Sequence, residues 1–248
     1  QVDKMQASAE VLASVCLEIR KMVAPGVTTK ALDDAIEAMI REAGCVPSFK
    51  GYHGFPASAC ISVNEEVVHG IPSERKLVEG DCVGIDIGVI KDGWQADSAE
   101  TIPVGQISDE AARLLQVTRE CLERGINAIA PGKRISVIGT EIEKHARANG
   151  FSVVESLVGH GIGQDLHEDP QVPNFRCFNM PDPVMEEVLV IAIEPMINAG
   201  TKRVVTARDE WTVLTADRSL SAHFEHTVAV TADGPRILTR RGSGTAAF

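Results

Sequence analysis

VGIDIGVIKDGWQADSAET, residues 83–101, is the stretch of this sequence that decides the fold. Asp92-Gly93 lies near its middle, and this dipeptide is a strong signal for a type I′ hairpin turn because both residues tolerate a positive φ. A two-residue turn at this point places Gly88 opposite Asp97. We therefore predict a long antiparallel hairpin.

The two faces of this hairpin have different chemistry. Ile85, Ile87 and Val89 share one apolar face, and Asp86 points to the other. Asp97 lies on that second face as a diagonal neighbour of Asp86, at roughly 7–8 Å. Like charges this close repel unless a cation lies between them, which favours a metal site. The ordinary alternative is a solvent-exposed acidic face.

Composition limits the class of protein. The chain has 248 residues, is 44% hydrophobic and carries a net charge of −11. These values are typical of a soluble protein with a sizeable core, and they argue against a broad nucleic-acid-binding surface. No apolar run is long enough for a membrane span. The six cysteines form no CxxC pair, which excludes a zinc ribbon and predicts reduced thiols and a cytoplasmic location.

Two passages of the chain resemble each other. Gly44 follows Pro25 by 19 positions, Gly150 follows Pro131 by 19 positions, and the shift between the passages is 106. Apolar periodicity and Gly or Pro stops predict two helices in each passage, at 3–23, 29–43, 109–130 and 136–149. Strands are predicted at 60–63, 152–158, 188–193, 203–205, 211–214 and 225–231. We interpret the chain as one domain, 1–248, with an internal repeat of approximately 3–108 and 109–240.

Three further residues could join the two aspartates. His160 lies in the glycine-rich segment GHGIG, Glu194 ends the apolar run VLVIAIEP, and Glu225 lies in HFEHTVAV. A glutamate in an apolar strand needs a partner, which could be an arginine, and His160 could be an ordinary loop residue. Taken together, four carboxylates and one imidazole fit two divalent cations, such as Mn, Fe, Co or Zn. This predicted ligand set comprises Asp86, Asp97, His160, Glu194 and Glu225.

These motifs carry a resemblance to a known family. The order Asp-x10-Asp, GHGIG, IEPM and SAHFEHT, with CISVNEEVVHGIP upstream, resembles methionine aminopeptidases of type I over essentially the whole chain. The resemblance implies an α/β (α+β) pita-bread fold, in which two pseudo-twofold-related halves pack helices on a curved antiparallel sheet. It also implies a dinuclear metal centre in a single catalytic domain.

The resemblance assigns a role to each ligand. It implies that Asp97 and Glu225 bridge the two metals, that Asp86 completes one metal site, and that His160 and Glu194 complete the other. In that family, a hydroxide that bridges the metals attacks the scissile carbonyl. Glu194 would shuttle the proton of the attacking water.

The resemblance also implies residues that bind substrate. His69 and His167 match two histidines that hold substrate and polarise the scissile bond without binding metal. The pocket for the first residue would be lined, besides these histidines, by Phe49, Tyr52, Phe55, Cys60, Leu166 and Trp211. Two positions depart from the family: Leu166 replaces a usual aromatic, and Gly88 replaces a threonine that often contacts the bridging water.

The implied activity is metal-dependent removal of N-terminal methionine from nascent proteins and peptides whose second residue is small. One alternative is an Xaa-Pro aminopeptidase or prolidase-like enzyme, which would carry an extra N-terminal domain and different sequence around GHGIG and SAHFEHT. A type II enzyme would carry a long insertion, whereas 30 residues separate Glu194 from Glu225. A non-enzymatic binding protein of the same fold would be expected to have lost ligands. We expect a cytoplasmic monomer that meets nascent chains at the ribosome, with no nucleic-acid substrate and no membrane partner.

Overall fold

The structure is a computed structural model that describes residues 1–242. Its four α-helices are α1 (Val2–Met22), α2 (Thr29–Glu42), α3 (Asp109–Asn127) and α4 (Ser136–Ala148). Its first strands are β1 (Val46–Pro47), β2 (Ala59–Val63), β3 (Glu66–Val68), β4 (Cys82–Lys91) and β5 (Trp94–Pro103). The later strands are β6 (Ser152–Val153), β7 (Gly159–Gly161), β8 (Glu168–Val172), β9 (Val190–Ile193), β10 (Met196–Asn198), β11 (Val204–Thr206), β12 (Val213–Thr215), β13 (Ser221–His223), β14 (His226–Thr231) and β15 (Gly234–Ile237).

The predicted helices are present, and their ends follow local chemistry. Thr28 caps α2 by accepting a 3.1 Å hydrogen bond from the Ala31 N–H, and Ser108 caps α3 in the same way. Helix α3 ends at Asn127, three residues before the predicted end, because the chain tightens there into i→i+3 hydrogen bonds, such as that from the Ile129 N–H to the Ile126 carbonyl at 3.0 Å. None of the helices in residues 1–242 has the length and apolar character needed to cross a membrane.

The predicted hairpin is confirmed in its exact register. Strand β4 pairs with β5 from Cys82–Pro103 to Lys91–Trp94, with Gly88 opposite Asp97. Ile85, Ile87 and Val89 are all buried in an apolar cluster that includes side chains of α1 and α2. Strands β1 and β2 also pair with β4, which makes β4 the centre of this sheet. The acidic face of the hairpin consequently lies opposite the helical layer.

The later part of the chain forms a second group of sheets and helices. Strands β15, β14, β9, β7 and β8 form a five-stranded sheet in that order, and β13, β10 and β6 form a smaller sheet. Strands β11, β12 and β3 form a third small sheet, which joins early and late parts of the chain. Helices α3 and α4 pack on these later strands through a second apolar cluster. The hairpin and the five-stranded sheet meet where the candidate site lies.

Several predicted strands have different bounds. The run predicted at 152–158 is strand only over β6, because its partner β10 begins at Met196, whose carbonyl accepts the last hydrogen bond, from the Val154 N–H at 3.0 Å. Strand β9 begins at Val190, since Val188 has a positive φ of 66°. The prediction for 225–231 was wrong at its start, because Glu225 occupies a break between β13 and β14. The strand predicted at 203–205 is β11, one residue later, and the strand predicted at 211–214 is β12, which begins two residues later and ends one residue later.

Candidate active site

Strand β5 is joined to strand β14 at the acidic face of the hairpin. The Asp97 N–H donates to Thr227 Oγ1 at 3.0 Å, and the same hydroxyl donates to the Asp97 carbonyl at 2.8 Å. Ser98 Oγ donates to the Glu225 carbonyl at 2.8 Å, and the Glu225 N–H donates to the Ala99 carbonyl at 3.0 Å. These bonds hold the backbones of Asp97 and Glu225 together although the residues are 128 positions apart.

His160 approaches these carboxylates from β7. A side chain on Gly161 would place its Cβ 2.2 Å from the Asp169 carbonyl oxygen, so glycine lets neighbouring strands approach closely. Backbone carbonyls approach Gly159 and Gly161 in the same way, and the carboxylate of Glu168 approaches Gly163. His160 Nδ1 lies 2.8 Å from the Gly161 carbonyl oxygen. A carbonyl can only accept, so Nδ1 carries the proton and Nε2 is left as a lone-pair donor.

The ligating atoms converge on one point. One oxygen each of Asp97 and Glu225 and one nitrogen of His160 lie within 4.8 Å of one another. His160 Nε2 is 3.6 Å from Glu194 Oε1 and 4.0 Å from Asp97 Oδ2. Oδ1 of Asp86 and Oδ1 of Asp97 are buried and have no hydrogen-bond partner in residues 1–242. Unpartnered buried carboxylate oxygens beside an imidazole lone pair fit a divalent cation.

Burial changes the proton affinity of every group in this cluster. It raises the pKa of Asp86 to about 7, and it raises the pKa of Asp97, Glu194 and Glu225 well above the usual range. Repulsion from neighbouring carboxylates further raises the pKa of Asp97, Glu194 and Glu225. Burial, with His167 nearby, lowers the pKa of His160 to about 4. The protein alone disfavours four ionised carboxylates, and a solvent-exposed acidic face does not describe this site.

A cavity of about 230 Å³ opens beside the cluster. All thirteen residues predicted for the site line it, namely Phe49, Tyr52, Phe55, Cys60, His69, Asp86, Asp97, His160, Leu166, His167, Glu194, Trp211 and Glu225. The structure therefore brings the predicted site residues together, while their individual roles remain predictions.

Part of the cavity lining is an apolar wall. Phe49, Phe55, Cys60 and Leu166 are buried, and the rings of Phe55 and Trp211 meet edge to face with centroids 5.2 Å apart. Burial also raises the pKa of the Cys60 thiol well above its usual value, so this side chain stays neutral. Such a wall suits an unbranched apolar side chain.

Further histidines also line the cavity. His69 and His167 both have a pKa lowered by burial, and the ring of His167 lies 4.3 Å from that of His160. Tyr52 Oη lies 2.7 Å from Nδ1 of His167. His53 also lines the cavity and was missed as a site residue, although the shift of 106 between the two repeated passages places it within one residue of His160. That alignment was the signal that could have identified it.

The sequence and the fold both match known proteins. Residues 3–232 match the profile of metallopeptidase family M24. Methionine aminopeptidase 1 of Bacillus subtilis is 49% identical over 236 residues, which cover 95% of each chain. A crystal structure of methionine aminopeptidase from Thermotoga maritima superposes with a TM-score of 0.93 at 40% identity, covering 96% of each chain.

A more distant likeness concerns the fold alone. Prolidase from Pyrococcus furiosus has a TM-score of 0.80 at 19% identity and matches 98% of this chain but 64% of its own. These structures share the mixed α/β pita-bread fold, as the sequence predicted. The family profile and the near-full-length relatives together show that the chain belongs to metallopeptidase family M24, in its methionine aminopeptidase branch.

Proposed function

We propose that this protein removes the N-terminal methionine from peptides and nascent proteins whose second residue is small. The observation that carries the proposal is one cavity lined both by an acidic cluster with a histidine and by an apolar wall. The cluster can hold metal, and the wall can hold the first side chain. The prolidase-like alternative is supported by the fold alone, and the near-full-length relatives favour methionine release.

The metal centre of this proposal has two divalent ions, from among Mn, Fe, Co and Zn. Asp97 and Glu225 would hold both ions, Asp86 would complete one site, and His160 with Glu194 would complete the other. Cations held there would lower the pKa of a water molecule and polarise the scissile carbonyl. The raised carboxylate pKa values support this proposal, since cations would stabilise the ionised forms.

The protein's own groups would carry the remaining work. Glu194 would take the proton of the attacking water and pass it to the departing amine, because its carboxylate lines the cavity and lies 3.6 Å from Nε2 of His160. His69 and His167, which line the same cavity, would donate hydrogen bonds to the substrate backbone. The apolar wall removes the methionine side chain from water and orients the peptide.

The test compares release of the first residue from Met-Ala-Ser, Leu-Ala-Ser and an Xaa-Pro peptide. We expect rapid hydrolysis of Met-Ala-Ser only, loss of activity after chelation, and recovery on addition of Mn, Co or Fe. Preferred hydrolysis of the Xaa-Pro peptide would support the prolidase-like alternative. Full turnover in excess chelator, with no metal detected by mass spectrometry, would contradict the two-metal proposal.

The setting of the enzyme is also a proposal. We infer that it is a cytoplasmic monomer with one catalytic domain, 1–248, whose approximate repeats are 3–108 and 109–240. Its substrates would be nascent chains at the ribosome. Two apolar clusters, each built with one pair of helices, support the repeat. Sedimentation analysis would test the monomer, and co-sedimentation with translating ribosomes would test the association.

A further inference from the structure

The contact between Tyr52 and His167 joins two parts of the site that are 115 residues apart in sequence. Tyr52 follows the left-handed Gly51 in a short 3-10 turn, and His167 lies between β7 and β8. Their polar atoms are 2.7 Å apart, and their rings have centroids 5.3 Å apart. Tyr52 therefore touches His167 with its hydroxyl as well as with its ring.

We propose that Tyr52 is a positioning residue that sets the tautomer of His167, so that the Nε2–H of this histidine is available to the substrate. The inference rests on the proposed function for the reaction that it serves. It assigns Tyr52 a polar task in addition to its place in the apolar wall.

In this proposal the phenol of Tyr52 is the donor of the hydrogen bond and Nδ1 of His167 is the acceptor. Burial raises the pKa of the Tyr52 phenol, so it remains a neutral O–H. A neutral imidazole carries a proton on one nitrogen and a lone pair on the other. When the phenol donates to Nδ1, the proton of His167 must lie on Nε2. Nε2 makes no hydrogen bond to any residue in the described part of the chain, 1–242.

A donor at Nε2 is what His167 needs to stabilise charge on a substrate carbonyl. In the opposite tautomer, Nε2 would present a lone pair to the developing negative charge and repel it. The phenol therefore favours the productive form of the ring before substrate arrives. Neighbouring aromatic side chains alone could hold the ring plane but could not select a tautomer.

A double-mutant cycle tests the proposal with Met-Ala-Ser. Tyr52→Phe keeps the ring and removes only the hydroxyl, and we expect kcat to fall about tenfold, the order of one neutral hydrogen bond, with KM nearly unchanged. In a His167→Ala background the same change should have no effect on kcat, because its target is gone. An equal fall of kcat in both backgrounds, or a rise in KM alone, would overturn the proposal.

A spectroscopic measurement tests it without turnover. In zinc-loaded protein labelled with ¹⁵N-histidine, the signals missing from His167→Ala belong to His167. We expect a protonated Nε2 and an unprotonated Nδ1, and a loss of this preference in Tyr52→Phe. An unprotonated Nε2, or signals that Tyr52→Phe leaves unchanged, would refute the tautomer assignment. If the protein failed to release methionine while these signals behaved as expected, only the proposed function would fall.

Discussion

Asp86 and Asp97 are diagonal neighbours across the β4–β5 ladder, since Asp86 pairs with Ala99 and Asp97 pairs with Gly88. Burial raises the pKa of Asp86 to about 7 from a usual value of 3.8, and burial with repulsion from Asp86 raises the pKa of Asp97 well above its usual range. A folded-state pKa above the unfolded value means that the folded protein binds more protons. Its free energy of unfolding therefore falls as pH rises through this interval.

We accordingly expect metal-free protein to lose stability between about pH 4 and pH 7, the interval bounded by the usual and raised pKa values of Asp86. Asp86→Asn cannot ionise, so its stability relative to the unchanged protein should increase over the same interval. Urea unfolding of both metal-free proteins at several pH values measures this difference. A difference that does not vary with pH would show that Asp86 is ionised in the metal-free fold.

Glu194 follows β9 and supplies the carboxylate nearest to Nε2 of His160. Glu194→Gln keeps the shape of the side chain and removes its ability to accept a proton. Because general base catalysis contributes roughly 10²–10⁴ in rate, kcat should fall by that order with the fold intact. Glu187→Gln, at an exposed position seven residues earlier, is the control. Near-normal turnover in Glu194→Gln would place proton transfer on another group.

His69 and His167 are predicted to bind substrate and to leave the metal to other residues. Replacing either with alanine should lower kcat by ~10²–10³, because donors aimed at developing charge contribute that order. Metal content, measured by mass spectrometry, should be unchanged. His145→Ala, which removes a histidine paired with Glu120 in the α3–α4 helical layer, is the control. A lower metal stoichiometry in His167→Ala would make this residue a ligand.

The local part of the site could be predicted from sequence, and the long-range part could not. The two-residue turn at Asp92-Gly93 fixes the pairing register of β4 and β5. The alternation of side chains along the strands then places Asp86 and Asp97 on one face. The break at Glu225 depends on hydrogen bonds to Ser98 and Ala99, more than 120 residues earlier, and no local pattern encodes it. The contact of Tyr52 with His167 likewise depends on two loops that meet only in the folded chain.

Gly88 is a position where the structure leaves no room for a side chain. A Cβ at this position would lie 2.6 Å from Ser48 Cβ and 2.7 Å from Phe49 Cε1, so the space of a side chain is already filled by the pocket wall. We expect Gly88→Ala to destabilise the fold by about 1–3 kcal/mol, as overpacking typically does, and to raise KM by displacing Phe49.

Gly84 on the same strand face provides the matched control for this experiment. A Cβ there would meet its nearest neighbour, Thr101 Oγ1, at an ordinary 3.5 Å. Gly84→Ala should therefore change neither the urea midpoint nor KM appreciably. Equal effects of the two substitutions would mean that the loss of stability and the rise in KM come from reduced backbone freedom along β4 and not from the contact with Phe49.

Leu166 is the residue from which a change in selectivity is expected. It is 3% exposed and lines the cavity directly before His167. A flexible leucine would give the proposed first-residue pocket a softer edge than an aromatic side chain would. Methionine should still bind, since burying its side chain contributes on the order of 1.5–3 kcal/mol whatever the wall. Discrimination against leucine is weaker, because pockets separate such side chains by only ~1–3 kcal/mol.

We therefore expect kcat/KM for a first-residue methionine to exceed that for leucine or norleucine by only a small factor. Gly, Ala or Ser should be favoured as the second residue. Leu166→Phe should increase the ratio of kcat/KM for methionine over leucine, because a rigid ring removes the extra volume that the branched side chain of a leucine substrate would use. The measurement is the ratio of kcat/KM for Met-Ala-Ser and Leu-Ala-Ser in both proteins. Leu166→Met, which keeps a flexible apolar side chain of similar size, is the control and should leave the ratio nearly unchanged. If Leu166→Phe also left it unchanged, position 166 would have no part in recognising the first residue.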